Sequence, residues 1–240
     1  MAFSDNVVIA AGKKVNLDLD GNKISIPANK ELQVNGELVI DGNGQVEAGK
    51  WGVDAYGAGA KVTLNSGKLK ANESPMCIEG GAKFEMNGGE LEGIDNCPLM
   101  GQGSAGNGGT EMVINGGKLI AHISSAGYIA CGIYMPNNGK FIMNGGEVIS
   151  DGAGLVMRAG EVELNGGSIV ANGASGVEGK VGDSRVVVGP YAVIFDESAK
   201  YPGASAGDFK LTIGQDMVLQ GTDGDISRLG DTDGKIFDNR

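Results

Sequence analysis

The chain has 240 residues, with 30 Asp+Glu against 19 Lys+Arg and a formal charge of −11. Its 44 glycines far exceed the ~7% typical of globular chains, yet 41% of the residues are apolar and glycine keeps no Gly-X-Y period, which excludes collagen and plain disorder. With only Arg158, Arg185, Arg228 and Arg240 as arginines, the chain lacks the basic footprint of a nucleic-acid binder and would be repelled by anionic lipid.

The first residues, followed by Val7-Val8-Ile9-Ala10-Ala11, have neither a basic leader nor a long apolar run. The expectation is a chain made in a cytoplasm without a secretory signal, and with no membrane span. Residues 1–12 are expected to cap the first repeat or anchor it to a neighbour. Next comes Lys14-Val-Asn-Leu-Asp-Leu-Asp-Gly-Asn-Lys-Ile24, and then Leu32-Gln-Val-Asn35-Gly, a weak copy of a unit that recurs more strongly downstream.

Five strong copies come after these. They are Lys61-Val-Thr-Leu-Asn65-Ser-Gly, Lys83-Phe-Glu-Met-Asn87-Gly-Gly, Glu111-Met-Val-Ile-Asn115-Gly-Gly, Lys140-Phe-Ile-Met-Asn144-Gly-Gly and Glu161-Val-Glu-Leu-Asn165-Gly-Gly. The asparagines stand 22, 28, 29 and 21 residues apart. On both sides of each turn, apolar and polar residues alternate with the period of a half-buried strand. A third short apolar run precedes most units, as in Met76-Cys-Ile78, Cys131-Gly-Ile-Tyr-Met135 and Gly154-Leu-Val-Met157.

Three short strands in each repeat of 21–29 residues predict an all-β parallel solenoid whose coils stack at ~4.8 Å. Equivalent side chains then form rows along the axis, and Asn65, Asn87, Asn115, Asn144 and Asn165 are expected to hydrogen-bond from coil to coil as an amide ladder. Asn and Gly both suit a turn that requires positive φ. Weaker copies follow at Val186-Val-Val-Gly189 and Leu211-Thr-Ile-Gly214.

These Asn-Gly-Gly units, with the Lys14–Ile24 opening, resemble the right-handed parallel β-helix of the pectate-lyase-like superfamily. The resemblance covers roughly residues 13–220 and is nearest to the non-enzymatic forms in phage head fibres, tail fibres, capsid decoration proteins and bacterial adhesins. It implies a single-stranded, right-handed parallel β-helix with three strands per coil. It also implies a structural virion role, with a neighbouring capsid or fibre protein as partner, contact with a host surface glycan, and a homotrimer. A trimer would need an exposed apolar stripe along one face. Residues 221–240 are expected to form an acidic cap or tail.

The chemistry-bearing residues are sparse. Cys77, Cys97 and Cys131 are odd in number and share no CxxC spacing, so buried free thiols are expected rather than a disulfide framework or zinc site. His122 is the single histidine, which leaves no partner for a histidine-based triad or zinc cluster. Asp223, Asp225, Asp231 and Asp233 fit no calcium-loop spacing. No cofactor or metal site is expected.

Galacturonan hydrolases of the resembled superfamily carry Asn-Thr-Asp, paired Asp-Asp and Gly-His-Gly motifs, all absent here. Arg158, near Asp151, Glu161 and Glu163, reads as part of a solvated charged face. Glu79, Asp95 and Asp151 are scattered acids that could still meet from different coils. The longer coils place Ile94–Gly109 and His122–Gly139 as neighbouring loops. A contact patch there would include Met100, His122, Tyr128 and Tyr134, and its alternative is that the loops cover apolar surface. Trp51 and Tyr56 could form a sugar-stacking platform, although one ring is expected inside the shaft. An adhesin-like glycan-binding domain and a polysaccharide lyase or hydrolase are the competing readings.

Overall fold

The computed structural model describes residues 2–101, 109–122, 131–181, 185–197, 209–230 and 234–240. These form strands, turns and bends with no helix. A nine-stranded sheet stacks Val7–Ile9, Leu32–Val34, Val53–Tyr56, Met76–Glu79, Leu99–Gly101, Cys131–Met135, Ala153–Met157, Tyr191–Asp196 and Gly224–Leu229 in chain order. Strands of the first seven coils recur at every third position in sequence, and all pairs in this sheet are parallel.

The intervening strands belong to a 15-stranded sheet that runs out along one limb and back along another. The outgoing limb begins Lys14–Asp18, Glu37–Asp41, Lys61–Leu64, Lys83–Met86, Glu111–Ile114 and Lys140–Met143; the returning limb holds Lys23–Ile26, Gln45–Ala48, Lys68–Ala71, Glu90–Gly93, Lys118–Ala121 and Glu147–Ser150. Glu161–Ala171 is long enough to serve both, pairing with Lys140–Met143 through its first half and Glu147–Ser150 through its second. Pairing at every third strand is what a β-solenoid requires.

Alternation decides which side chains go inside. In the outgoing limb Val62, Phe84, Met112, Phe141, Val162 and Leu211 share one buried row in register, while Lys61, Lys83, Glu111, Lys140, Glu161 and Lys210 share an outward one. The outward face is stitched by cross-coil ion pairs such as Lys61–Glu85 at 3.0 Å, Lys140–Glu163 at 2.8 Å and Lys210–Glu161 at 2.6 Å. A one-residue slip would turn the whole apolar row outward, so register is tightly specified.

The turn between limbs differs from the expectation in one respect. Positive φ is carried by the second glycine of each Asn-Gly-Gly unit, whereas Asp20 is the one non-glycine residue with positive φ among those described. Gly117, at φ +93°, would place a Cβ 2.7 Å from the Gly89 carbonyl oxygen, so close coil stacking and backbone handedness both demand glycine there.

The weak copies divide. Leu32–Val34 lies in the nine-stranded sheet, out of phase with the ladder, and the residue stacked before Asn65 is Asp41. Arg185–Val188 leaves the stacks and pairs antiparallel with Glu178–Val181. The segment Leu211 to Ile213 does continue the outgoing limb. At the ends, Val7–Ile9 is already a stacked strand, and Gly224–Leu229 and Lys235–Asp238 extend both stacks through the stretch expected to be a cap.

Candidate functional site

The nine-stranded sheet breaks the pattern of a polar outer face. Its outward row reads Val8, Gln33, Asp54, Cys77, Met100, Tyr134, Val156, Ile194 and Ser227 in register. From Cys77 to Ile194 this row is buried, forming a second apolar cluster with Cys97, Cys131 and Ala153, against which Trp51, Tyr191 and Leu229 pack. The cause lies in strands that are apolar at consecutive positions, Cys131–Met135 and Ala153–Met157, which suit burial on both faces.

Met100 and Tyr134, expected on an exposed contact patch, are therefore interior to this cluster. Tyr128 lies outside the described residues. The free-thiol reading is also corrected for two of the three: Cys97 and Cys131 form a disulfide, with Cα atoms 4.9 Å apart, and Cys77 is buried outside that bond. The two partners are 34 residues apart in sequence, and the stacking of coils, not a local spacing, brings them together.

Where the apolar row gives way to polar residues, it leaves a half-buried acidic site. Burial, followed by repulsion from Glu79 and Glu31, pushes the Asp54 carboxyl up to about 6. Its buried Oδ1 has no hydrogen-bond partner. Burial also raises Glu79, which sits in register beside Tyr56. Tyr56 is 53% exposed; Trp51 is half-buried, with Lys50 Nζ 5.9 Å from its ring centroid. Neither ring fills the shaft: one faces solvent and the other leans on the outer cluster. The face thus offers ring surface beside a carboxyl that is partly protonated near neutral pH and can donate or accept a hydrogen bond.

His122 stands elsewhere, at the turn after the returning limb. Its Nε2 is 3.6 Å from Glu92 Oε1 and its Nδ1 3.4 Å from Asp151 Oδ2. Glu92 is buried and is ion-paired to Lys68 and, at 2.7 Å, to Lys70. Burial raises its carboxyl, but the two lysines outweigh that and hold it below its ordinary value. In this cluster the two lysines hold Glu92, and His122 stands at its edge.

Arg158 does not belong to a solvated face. It is fully buried, with Nη2 3.1 Å from Asp196 Oδ2 and its guanidinium 5.9 Å over the Tyr134 ring. Glu161 and Glu163 do point outward, paired with Lys210 and Lys140. In the C-terminal stretch Asp223 accepts from Ser175 and Gly176, and Asp225 and Asp238 pair with Arg240; Asp231 and Asp233 lie outside the described residues. Among the described residues no group of three or more His, Cys, Asp or Glu could hold a metal.

The structure draws the five asparagines into one row. Asn87, Asn115, Asn144 and Asn165 each donate through Nδ2 to the Oδ1 of the asparagine one coil earlier, every time at 2.9 Å. Asn65 donates to Asp41 Oδ2 at 3.3 Å. Asp41 is a ladder member that the asparagine spacing could not reveal, because its residue type differs. Its place one coil-length before Asn65, at the end of the alternating Glu37–Asp41 strand, is the signal that finds it. Comparison of the chain with protein-family models, with curated proteins and with solved structures finds no match.

Proposed function

We propose that this chain is a right-handed parallel β-helix of three short strands per coil that serves as a structural shaft of a bacteriophage particle: a head fibre, capsid decoration or short fibre. The observation that supports it best is the amide row. Five consecutive coils spend an outward polar side chain on bonding to the coil before, and the lysines and glutamates beside them also bond between coils. Such a surface invests its chemistry in stiffness. Nine stacked strands correspond to a shaft of about 40 Å at ~4.8 Å per coil. One end anchors to a neighbouring virion protein and the flank or far end meets the host.

A second reading, an adhesin-like glycan-binding domain, is favoured by Trp51 and Tyr56 beside Asp54 and Glu79. Ring faces and carboxyls together suit a sugar's apolar face and hydroxyls. Quantitative proteomics on pelleted particles, cell envelope and soluble medium separates the two. Co-enrichment with capsid proteins is the expected result. Enrichment in the envelope, with particles empty of the chain, overturns the virion role and leaves the adhesin; a wholly soluble distribution overturns both.

A further inference from the structure

We propose that the open first coil binds a second copy of this chain head to head, with strand Lys14–Asp18 pairing antiparallel to itself across a two-fold axis. This goes beyond the shaft reading and does not depend on a virion setting. The described exposed large apolar side chains sit mainly at the two ends, not in a flank stripe: Val7 (38%), Val8 (53%) and Val15 (39%) at the first coil, Val218 and Phe237 at the last. Beneath the first coil lies an apolar concavity of about 470 Å³, lined by residues including Phe3, Val7, Ile9, Val15, Leu17 and Ile24. Phe3 N–H donates to the Ser25 carbonyl, so the edge of Lys23–Ile26 is partly taken, while among the described residues Lys14–Asp18 ends the outgoing limb with one edge unpaired.

That edge is self-complementary. The Lys13 carbonyl accepts from Glu37 N–H and the Leu19 N–H donates to the Asp41 carbonyl, so odd-numbered residues serve the next coil. By strand geometry, the N–H and C=O groups of Lys14, Asn16 and Asp18 then turn to the open side. Antiparallel pairing centred on Asn16 puts Asn16 opposite Asn16 and Lys14 opposite Asp18, all as hydrogen-bonded pairs, with Val15 over Leu17 on the inner face. Charges, backbone groups and apolar residues are matched by a single register, and the interface is isologous.

Head-to-tail stacking lacks this match. Continuing the observed register from Lys235–Asp238 would set Lys14 on Lys235 and Leu17 on Asp238. That places a carboxylate against an apolar side chain of the interior row, which is costly.

Sedimentation equilibrium on the intact chain tests the pairing. The expected wild-type result is a doubling of the assembly mass with concentration. Lys14→Asp and Asp18→Lys should each weaken this association by about tenfold or more through like-charge opposition. An equimolar mixture of the two variants should recover it, as should the Lys14→Asp/Asp18→Lys double variant. Recovery on mixing cannot come from misfolded protein. An Asn16→Cys variant should form a disulfide-linked dimer, and Thr63→Cys, in the same outward row further along the shaft, should not. A wild type that never doubles in mass overturns the proposal, and so does a mixture that associates no better than its components.

Discussion

Each interior asparagine of the amide row donates to the coil before and accepts from the coil after, whereas Asn165 ends the run of asparagines. Asn115→Ala removes both an acceptor and a donor and leaves Asn87 and Asn144 without their partner amide. The expected loss is about 1–2 kcal/mol, against about half that for Asn165→Ala, since these groups are solvent-exposed. Denaturant unfolding of the two variants in parallel checks the ratio. Asp54 shows the opposite economy, a carboxyl whose ionisation burial opposes. Its folded pKa, about 6, lies above its ordinary 3.8. Its contribution to stability is therefore complete below pH ~4 and lost as pH rises through ~6. Asp54→Asn should raise stability at pH ~7.5 relative to wild type by on the order of 1 kcal/mol, with the gain fading by pH ~4. Equal shifts at both pH values would show that Asp54 is not the titrating group.

At the scale of the element, the outer cluster shows why some features could be read from sequence and others not. The asparagine row was legible because one residue type recurs at the end of an alternating strand, and residues in equivalent positions of a solenoid must touch. The double burial of Cys131–Met135 was written in its unbroken apolar run. Its consequence for Met100 and Tyr134 required knowing that the same sheet stacks them into one outward row. The raised Asp54 had no local signature, since its burial and the repelling Glu79 come from the next coil and its surroundings. The Cys97–Cys131 bond likewise joins residues of two neighbouring coils. It closes a span of 34 residues, worth about 3–4 kcal/mol by chain entropy. Reduction should lower the denaturation midpoint accordingly, and thiol titration in denaturant should rise from one group per chain to three. Such a bond persists only in an oxidising setting, so the stability it adds depends on the redox state of the surroundings.

Over the whole molecule, the strands of each coil pair with those of its neighbours, one repeat apart in sequence. Two buried systems run side by side, the inner core and the cluster outside the nine-stranded sheet. The second thickens the middle and C-terminal coils and is absent from the first three, where Val8, Gln33 and Asp54 form the outward row. The shaft is thus most reinforced away from the end that carries the open apolar coil.

The amide row also has a direction. Every donor looks toward the N-terminus and every acceptor toward the C-terminus. A coil leaving the ribosome finds its acceptor already in place on the segment made just before it, so assembly can proceed in the order of synthesis, each finished turn serving as the template for the next.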